Sequence, residues 1–308
     1  MKKLTMTVGI PVHNEAENIL YLLESILKQK QETFVLEKIL VVCDGTTDGT
    51  DRTVKEMAVK NSVVELVEDG MRKGKMARLM EIYNLNKSDI VTVFDGDVVL
   101  ANNEVIDKMV DNFKEKSIQI SGGNNQPLKS ETLTGKLINK WSHFWYMARR
   151  DFNHGDNVHN IRGCVMALRS EFAKTIRFPA EIVSDAQYIY FYAQSKNAKF
   201  AFAKDAIVFY RKPSNVKDYF LQTKRSDPEE KRLRIIFGEK IKAKYKIPKS
   251  VSAIALFKTF LEDPIFTLMA VFFHMFSLAL PYNEKRNNNE VLWKTPESTK
   301  KGIPLENL

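Results

Sequence analysis

Two aspartates separated by one glycine, Asp95-Gly96-Asp97, stand directly after the apolar run 89–94. Hard divalent cations prefer oxygen ligands, and a magnesium or manganese ion keeps water and substrate phosphates in its shell, so one or two carboxylates suffice. Gly96 lets a ligand approach the backbone closely. The spacing therefore indicates a cation site for a diphosphate, with an ordinary Asp-Gly-Asp turn as the alternative.

The elements that position these aspartates follow from the first hundred residues, where β-rich runs alternate with segments of helical periodicity. The predicted strands cover residues 5–10, 38–42, 63–67 and 89–94, and the predicted helices cover 16–30, 50–60 and 75–86. This alternation is typical of βαβ units, whose ligands bind beyond the carboxyl ends of the parallel strands. We therefore expect an α/β fold with a mostly parallel sheet flanked by helices.

Polar clusters follow three of these four strands. They occupy residues 11–15, 44–50 and 95–97. Each has an ordinary explanation, since Asn14 can cap the next helix with Glu15 in its first turn, and 44–50 can be a turn. These separate explanations do not account for the position of all three clusters at one edge of the sheet. Carboxylates crowded together repel one another unless cations or hydrogen-bond donors balance their charge. Lys73 and Lys75 can offer positive charge to phosphates. The alternative is that both lysines are solvated.

The clusters belong to an ordered series of short motifs. The series runs Pro-Val-His-Asn-Glu at 11–15, Asp-Gly-Thr-Thr-Asp-Gly-Thr at 44–50, Gly-Lys-Met-Ala at 74–77, Asp-Gly-Asp at 95–97, Gly-Cys-Val-Met-Ala-Leu-Arg at 163–169, Ser-Asp at 184–185 and Gln-Thr-Lys-Arg-Ser at 222–226. In this order the motifs resemble those of family 2 glycosyltransferases, inverting enzymes of the GT-A fold that use nucleotide-diphosphate sugars. The resemblance covers residues 5–226.

The resemblance implies a role for individual residues. The donor nucleotide would contact Pro11, Val12, Glu15, Asp44, Lys75 and Asp95. Asp97 would ligate the Mn²⁺ or Mg²⁺ ion that bridges the phosphates, and Asp185 would be the general base that deprotonates the acceptor hydroxyl. Gly163, Gln222 and Arg225 would border the acceptor and diphosphate side.

Two positions depart from the family pattern. Ser184 replaces a glutamate, which leaves Asp185 as the base, and Ser226 replaces the tryptophan on which processive synthases stack the acceptor. The second change favours transfer of one or a few sugars. The alternatives are a nucleotidyltransferase, which would attack a phosphate, and a non-catalytic basic protein on a degenerate GT-A fold. The retained carboxylates argue against degeneration.

Composition limits the protein class. The chain has 308 residues, enough for one α/β domain with an appendage. Its two cysteines, Cys43 and Cys164, provide no disulfide framework and indicate a reducing compartment. A strand is predicted from residue 5, without a preceding apolar run of signal-peptide length, so we expect the catalytic part in the cytoplasm.

The net charge of +9 is unevenly distributed. Residues 211–250 hold thirteen Lys and Arg against five Asp and Glu. Apolar residues at helical spacing, from Leu233 to Tyr245, predict a basic amphipathic helix suited to an anionic membrane surface. A nucleic acid is the competing partner for such a face, but no nucleic-acid-binding module is recognisable. We therefore expect an anionic membrane as the partner and no nucleic acid.

An uncharged, largely apolar segment follows at 264–283. A spanning helix needs about 20 apolar residues, so this segment is at the short limit. It indicates a peripheral or monotopic attachment or one short transmembrane helix, on the cytoplasmic face of the cell membrane by the positive-inside rule. The alternative is a buried helix or an oligomer contact. Membrane attachment implies a lipid-linked or envelope-glycan acceptor.

The resulting organisation has four parts. They are a GT-A catalytic domain at 1–210, a basic amphipathic helical region at 211–250, an apolar membrane-associated segment at 251–283 and a polar tail at 284–308. Within the first part, an aromatic segment at 137–147 suits an acceptor path, a membrane interface or packing of an amphipathic helix. His154, Asp156 and His159 form a polar loop by this interpretation, with metal ligation as the alternative.

Overall fold

The computed structural model describes residues 2–225, 229–279 and 299–304. The chain forms two compact units. The first comprises Met1–Gln126, Asn160–Tyr210 and Lys301–Leu308, and the second comprises Pro127–His159 and Arg211–Lys300. Segment 127–159 therefore belongs with the C-terminal helices and not with the sheet.

The first unit begins with a regular alternation of strands and helices. The elements are β1 (Leu4–Val12), α1 (Ile19–Leu27), β2 (Phe34–Cys43), α2 (Thr50–Lys60), β3 (Val64–Val67), α3 (Lys75–Leu85) and β4 (Ile90–Phe94). Strands β3, β2, β1 and β4 lie side by side and pair in parallel, as the alternation predicts. All five residues of β4 are buried, which explains why its sequence is continuously apolar.

The sheet then continues with antiparallel strands. The further elements of this unit are β5 (Val98–Leu100), α4 (Val105–Val110), β6 (Ile118–Pro127), β7 (Val165–Arg169), α6 (Ser170–Ala173), α7 (Asp185–Ser195) and β8 (Lys199–Tyr210). The strand order is β3-β2-β1-β4-β7-β6-β8-β5, and β7 runs antiparallel to β4 with Phe94 opposite Val165. The predicted α/β class with helices flanking the sheet is confirmed. The antiparallel half was not predicted.

The second unit consists of helices. They are α5 (Leu133–Asp151), α8 (Val216–Arg225), α9 (Glu229–Phe237), α10 (Lys249–Glu262) and α11 (Pro264–Ala279), with a 3₁₀ helix at Glu239–Tyr245. Helices α10 and α11 both pack against α5. Phe144, Ala148 and Ala255 form the centre of that contact. The aromatic segment of α5 is thus in part a packing surface.

The basic region is helical but does not form the single amphipathic helix expected through Tyr245. Helix α9 ends at Phe237, and Gly238 adopts φ +86°, a conformation that favours glycine and interrupts the helix before the 3₁₀ helix begins. Leu233 and Ile241 are buried on either side of this break. Residues 280–298 and 305–308, which include most of the predicted polar tail, lie outside the described residues.

Within the described ranges, no helix combines the length and apolar character needed to cross a membrane.

Candidate active site

The predicted site residues of the first unit follow the carboxyl ends of its parallel strands or begin a helix. Asp44 follows β2, and Asp95 and Asp97 follow β4. Lys75 is the first residue of α3, and Asp185 is the first residue of α7. Parallel strands end at one edge of the sheet, so the topology itself brings the carboxylates together.

Lys75 joins two of these carboxylates. Its Nζ lies 2.7 Å from Asp95 Oδ1 and 3.1 Å from Asp185 Oδ2. Burial alone would lower the pKa of Lys75, but the two carboxylates outweigh it and raise that pKa above its ordinary value. The Lys75 ammonium therefore stays charged at neutral pH. It links Asp95, which is expected at the ribose, with Asp185, the proposed base.

Asp97 has no such partner. In the part of the chain that the structure describes, no Lys or Arg forms an ion pair with it. Burial, together with the neighbouring Asp95 carboxylate, raises the pKa of Asp97 to about 6. A carboxylate that is partly desolvated, close to a second one and without a direct ion pair among the described residues is suited to a cation.

The described residues contain no group of three or more His, Cys, Asp and Glu that could by itself hold a metal ion. A cation at Asp97 would therefore take most of its ligands from phosphates and water, as magnesium-type sites commonly do. The alternative metal site at His154, Asp156 and His159 is likewise not assembled. His159 Nε2 instead lies 3.0 Å from the carbonyl oxygen of Tyr245.

Asp44 is held by the loop that precedes α3. Its Oδ1 accepts hydrogen bonds from the backbone N–H groups of Lys73 (2.6 Å) and Gly74 (3.0 Å) and from Arg78 Nε (3.1 Å). The Arg78 side chain is fully buried and also pairs with Asp69 and Glu81. Asp44 thus fixes the loop that delivers Lys75 to the site.

Arg78 was missed at the sequence level. It lies in a predicted helix, where an arginine usually faces solvent. Its burial becomes visible only when Asp44, thirty-four residues earlier in the chain, is placed beside it. Arg78, directly after the motif at 74–77, is thus a second cation that organises the site.

Segment 11–15 lies against the Asp-Gly-Asp turn. A Cβ atom on Gly96 would stand 2.8 Å from Val12 Cγ1 and 3.0 Å from Glu15 Cγ, so only glycine allows this contact. Pro11 and Val12 are the last residues of β1, and the side chain of Glu15 is buried and accepts a hydrogen bond from Asn18. Two of the donor motifs therefore meet directly.

Asn14 does not cap α1, contrary to the ordinary explanation offered for it. The helix begins at Ile19, and Asn18 occupies the position before it. Asn14 instead adopts φ +57°, and its Oδ1 accepts a hydrogen bond from the backbone N–H of Thr47 at 2.8 Å. This bond ties the loops after β1 and β2 to each other. Asparagine tolerates the left-handed conformation better than most residues.

Gly163 packs against the carboxylate of Asp185. A Cβ atom at position 163 would lie 2.4 Å from Asp185 Oδ2 and 2.5 Å from Oδ1. Ser184 caps α7 by accepting a hydrogen bond from the backbone N–H of Gln187, so the serine that replaces the family's glutamate helps to begin the helix that carries the base. Gly163 thus limits the position of the Asp185 carboxylate, and the Ser184 cap fixes the start of the helix that carries it.

The two cysteines beside the site are free thiols. Burial raises the pKa of Cys43 to about 11 and that of Cys164 to about 12. Both therefore stay protonated at neutral pH, and neither is an activated nucleophile. Their role is packing next to Asp44 and Gly163.

Gln222 and Arg225 belong to α8 in the second unit. Their side chains lie outside the described residues. Their assignment to the acceptor and diphosphate side therefore stays a prediction.

Comparison with known proteins identifies the class. The model of glycosyl transferase family 2 matches residues 7–177, more than half of the chain, and the protein therefore belongs to this family. The matched range begins within β1 and contains β2 to β4, the Asp-Gly-Asp turn and Gly163. Asp185 and the helices of the second unit, apart from α5, lie beyond it.

Solved structures agree in fold. The mannosyltransferase PcManGT from Pyrobaculum calidifontis, solved with GDP-Man and Mn²⁺, aligns with a TM-score of 0.61 at 18% identity, covering 91% of this chain and 77% of that one. Residues 1–349 of S. aureus TarS align with a TM-score of 0.50 at 17% identity, covering 72% and 64%. A search of curated proteins by sequence gives no match. The family and the fold together establish a glycosyltransferase.

Proposed function

We propose that this glycosyltransferase moves a sugar from a nucleotide-diphosphate sugar to an acceptor hydroxyl, with a divalent cation at Asp97 and with inversion at the anomeric carbon. The observation that carries the proposal is the linked set Asp95, Lys75 and Asp185, with Asp97, which forms no ion pair among the described residues, close to Asp95. PcManGT, which shares the fold, was solved with a nucleotide sugar and Mn²⁺. Mn²⁺ or Mg²⁺ suits the carboxylate of Asp97.

The donor would lie along the carboxyl edge of the parallel strands. Asp44 orders the loop that faces the nucleobase, together with Pro11, Val12 and Glu15, and Asp95 accepts a hydrogen bond from the ribose. A divalent cation held by Asp97 would supply positive charge to the departing diphosphate. Lys75, whose pKa is raised, adds a permanent charge at the same place.

Asp185 carries out the proton transfer. Its carboxylate accepts the proton of the acceptor hydroxyl as the hydroxyl oxygen attacks the anomeric carbon from the face opposite the diphosphate. The new carbon–oxygen bond forms while the bond to the diphosphate breaks, and the nucleoside diphosphate departs. Direct displacement inverts the configuration. Gly163 leaves room for the Asp185 carboxylate on the acceptor side, because the Cβ atom of any larger residue at position 163 would overlap that carboxylate.

We propose a lipid-linked or envelope-glycan acceptor at the cytoplasmic face of a membrane. The basic stretch 211–250 and the apolar segment 251–283 support this, since together they suit an anionic lipid surface. In this proposal residues 1–210 contain the catalytic machinery, and 284–308 is a polar tail. The serine at 226 favours transfer of one or a few sugars.

The test is a thermal-shift screen of nucleotide sugars with and without Mn²⁺, followed by product analysis with the donor that stabilises the protein most. We expect a cation-dependent shift, release of nucleoside diphosphate and a product of inverted anomeric configuration by NMR. Release of pyrophosphate with transfer of the nucleotide would establish the alternative, a nucleotidyltransferase. A product of retained configuration would contradict direct displacement.

A further inference from the structure

Helix α11 exposes its large apolar side chains and buries small or polar ones, the opposite of a helix on the surface of a soluble domain. Large apolar side chains point outward along one stripe, at i, i+3 and i+4 spacing: Ile265, Leu268, Met269, Phe272, Met275 and Phe276. The residues buried against the rest of the unit are small or polar, namely Thr267, Ala270 and Ser277. Phe272 retains 78% of its maximal exposure. A surface helix normally buries its apolar side.

The inward face of α11 is held by specific polar contacts. Thr267 Oγ1 donates a hydrogen bond to the carbonyl oxygen of Thr259 at 2.9 Å. His274 Nδ1 lies 2.8 Å from the Tyr219 hydroxyl, and the His274 ring stacks on Trp141 with centroids 4.2 Å apart. Turning the helix to bury its large residues would break these contacts. The packing of the second unit therefore fixes the rotation of α11 and keeps its apolar stripe exposed.

Helix α10 extends the same kind of surface. Its exposed large apolar residues are Ile254, Leu256, Phe257 and Leu261. We call these residues and the outward stripe of α11 the hairpin surface. Monomeric soluble proteins rarely expose contiguous apolar areas beyond a few hundred Å², and larger ones mark contact with a protein or a membrane. Helices α10 and α11 contact each other, and both expose large apolar side chains, so the hairpin surface is a candidate for such a contact.

Charge around the hairpin surface selects lipid as the occupant. Exposed lysines precede α10 at positions 240, 242, 244 and 246, and a fifth, Lys249, is its first residue. The acidic residues between the two helices are already engaged: Glu262 pairs with Lys140 and His143, and Asp263 Oδ1 accepts a hydrogen bond from the backbone N–H of Phe266. Anionic headgroups would attract the lysines. A second copy would bring like charges together.

The dimensions of α10 favour a shallow position. Its 14 residues are about 21 Å long at 1.5 Å per residue, against a hydrocarbon core of about 30 Å. Asp263 and Pro264 then end the helix and begin α11. A helix of this length with one apolar side lies in the interface plane, its apolar side among the acyl chains.

We propose that the hairpin surface embeds in one leaflet of an anionic bilayer and holds the enzyme there as a monotopic protein. The inference deepens the proposed function and rests on it for the acceptor, which a leaflet-bound enzyme would meet at the membrane. The lysines provide attraction that salt screens, and the apolar stripe provides anchorage that salt does not screen.

The test is flotation of the purified full-length protein with phosphatidylcholine vesicles, with or without phosphatidylglycerol. We expect binding to the anionic vesicles that survives a high-salt wash. Phe272→Glu should lower the vesicle partition coefficient about tenfold or more, because it removes an exposed aromatic ring that would enter the bilayer and places a charge among acyl chains. Val59→Glu is the matched control, since Val59 is 89% exposed on α2, outside the surface, and should leave partitioning unchanged.

Donor binding, followed by the Mn²⁺-dependent thermal shift, separates the two claims and reports folding of each variant. Loss of vesicle binding by Phe272→Glu with an unchanged donor shift supports the inference. A wild-type protein that binds donor but no vesicles overturns it and leaves the proposed function standing. Vesicle binding without any donor shift counts against the proposed function alone. A soluble dimer that Phe272→Glu converts to monomers would identify a second copy as the occupant and overturn the inference.

Discussion

Gly163→Ala is the substitution that tests the position of the base most sharply. The new Cβ atom would lie 2.4 Å from Asp185 Oδ2, whereas ordinary contact begins at 3.4 Å, so the carboxylate must move by about 1 Å. The end of an aspartate side chain can rotate away, and we therefore expect the protein to fold. A misplacement of this size in an active site costs on the order of 10²-fold in rate, or about 2.7 kcal/mol in the activation free energy.

The assay is release of nucleoside diphosphate from the donor found by thermal shift, with a membrane lipid extract as the source of acceptor. The rate constant kcat should fall about 10²-fold while the affinity for donor and Mn²⁺ stays unchanged. Cys164→Ala is the neighbouring control, because it changes an uncharged, packed thiol and should stay within about threefold of the wild type.

A double-mutant cycle distinguishes displacement of Asp185 from direct obstruction of the acceptor. If the added methyl group acts through the carboxylate, Gly163→Ala combined with Asp185→Asn should be no slower than Asp185→Asn alone. Additive losses would indicate that the methyl group obstructs the acceptor. Turnover by Gly163→Ala within about threefold of the wild type would refute the positioning argument.

Three further variants test other parts of the site. Asp185→Asn should keep donor binding and lose about 10²–10⁴-fold in turnover, and near wild-type turnover would place the base elsewhere. Arg78→Met should lower the free energy of unfolding in urea by about 3 kcal/mol, because Asp44 loses a fully buried partner, and a loss below about 1 kcal/mol would contradict this role. Hydrogen bonds from Arg78 and Lys73 hold the pKa of Asp69 below its ordinary value. The stability difference between wild type and Asp69→Asn should therefore be present above about pH 4 and shrink as the pH falls below it, and a difference that grows there would be contrary evidence.

The parallel half of the fold was predictable because its signals are local. Strand β4 is a continuous apolar run, and Thr50 and Lys75 begin helices where the periodicity placed them. Carboxylates after such strands must meet at one edge, so the location of Asp44 and Asp97 followed from topology. The antiparallel strands show no comparable alternation of strand and helix patterns in the sequence, since long connections separate them.

What escaped prediction depends on contacts between distant residues. Lys75 and Asp185 are separated by 110 positions, and nothing near either residue indicates that they pair. Arg78 resembles any exposed helical arginine until Asp44 is placed beside it. The composition of α11 indicated an apolar segment, but which of its sides is buried depends on the partners that Thr267 and His274 find in space.

The most direct test of the central claim is calorimetry of the nucleoside diphosphate with and without Mn²⁺, on the wild type and on Asp97→Asn. The amide keeps the shape of the side chain but removes the negative charge that a cation needs. We expect Mn²⁺ to strengthen diphosphate binding by the wild type and to have no effect on the variant, whose thermal unfolding should match the wild type. Equal affinity and equal Mn²⁺ dependence in the two proteins would contradict a cation-assisted diphosphate site at Asp97.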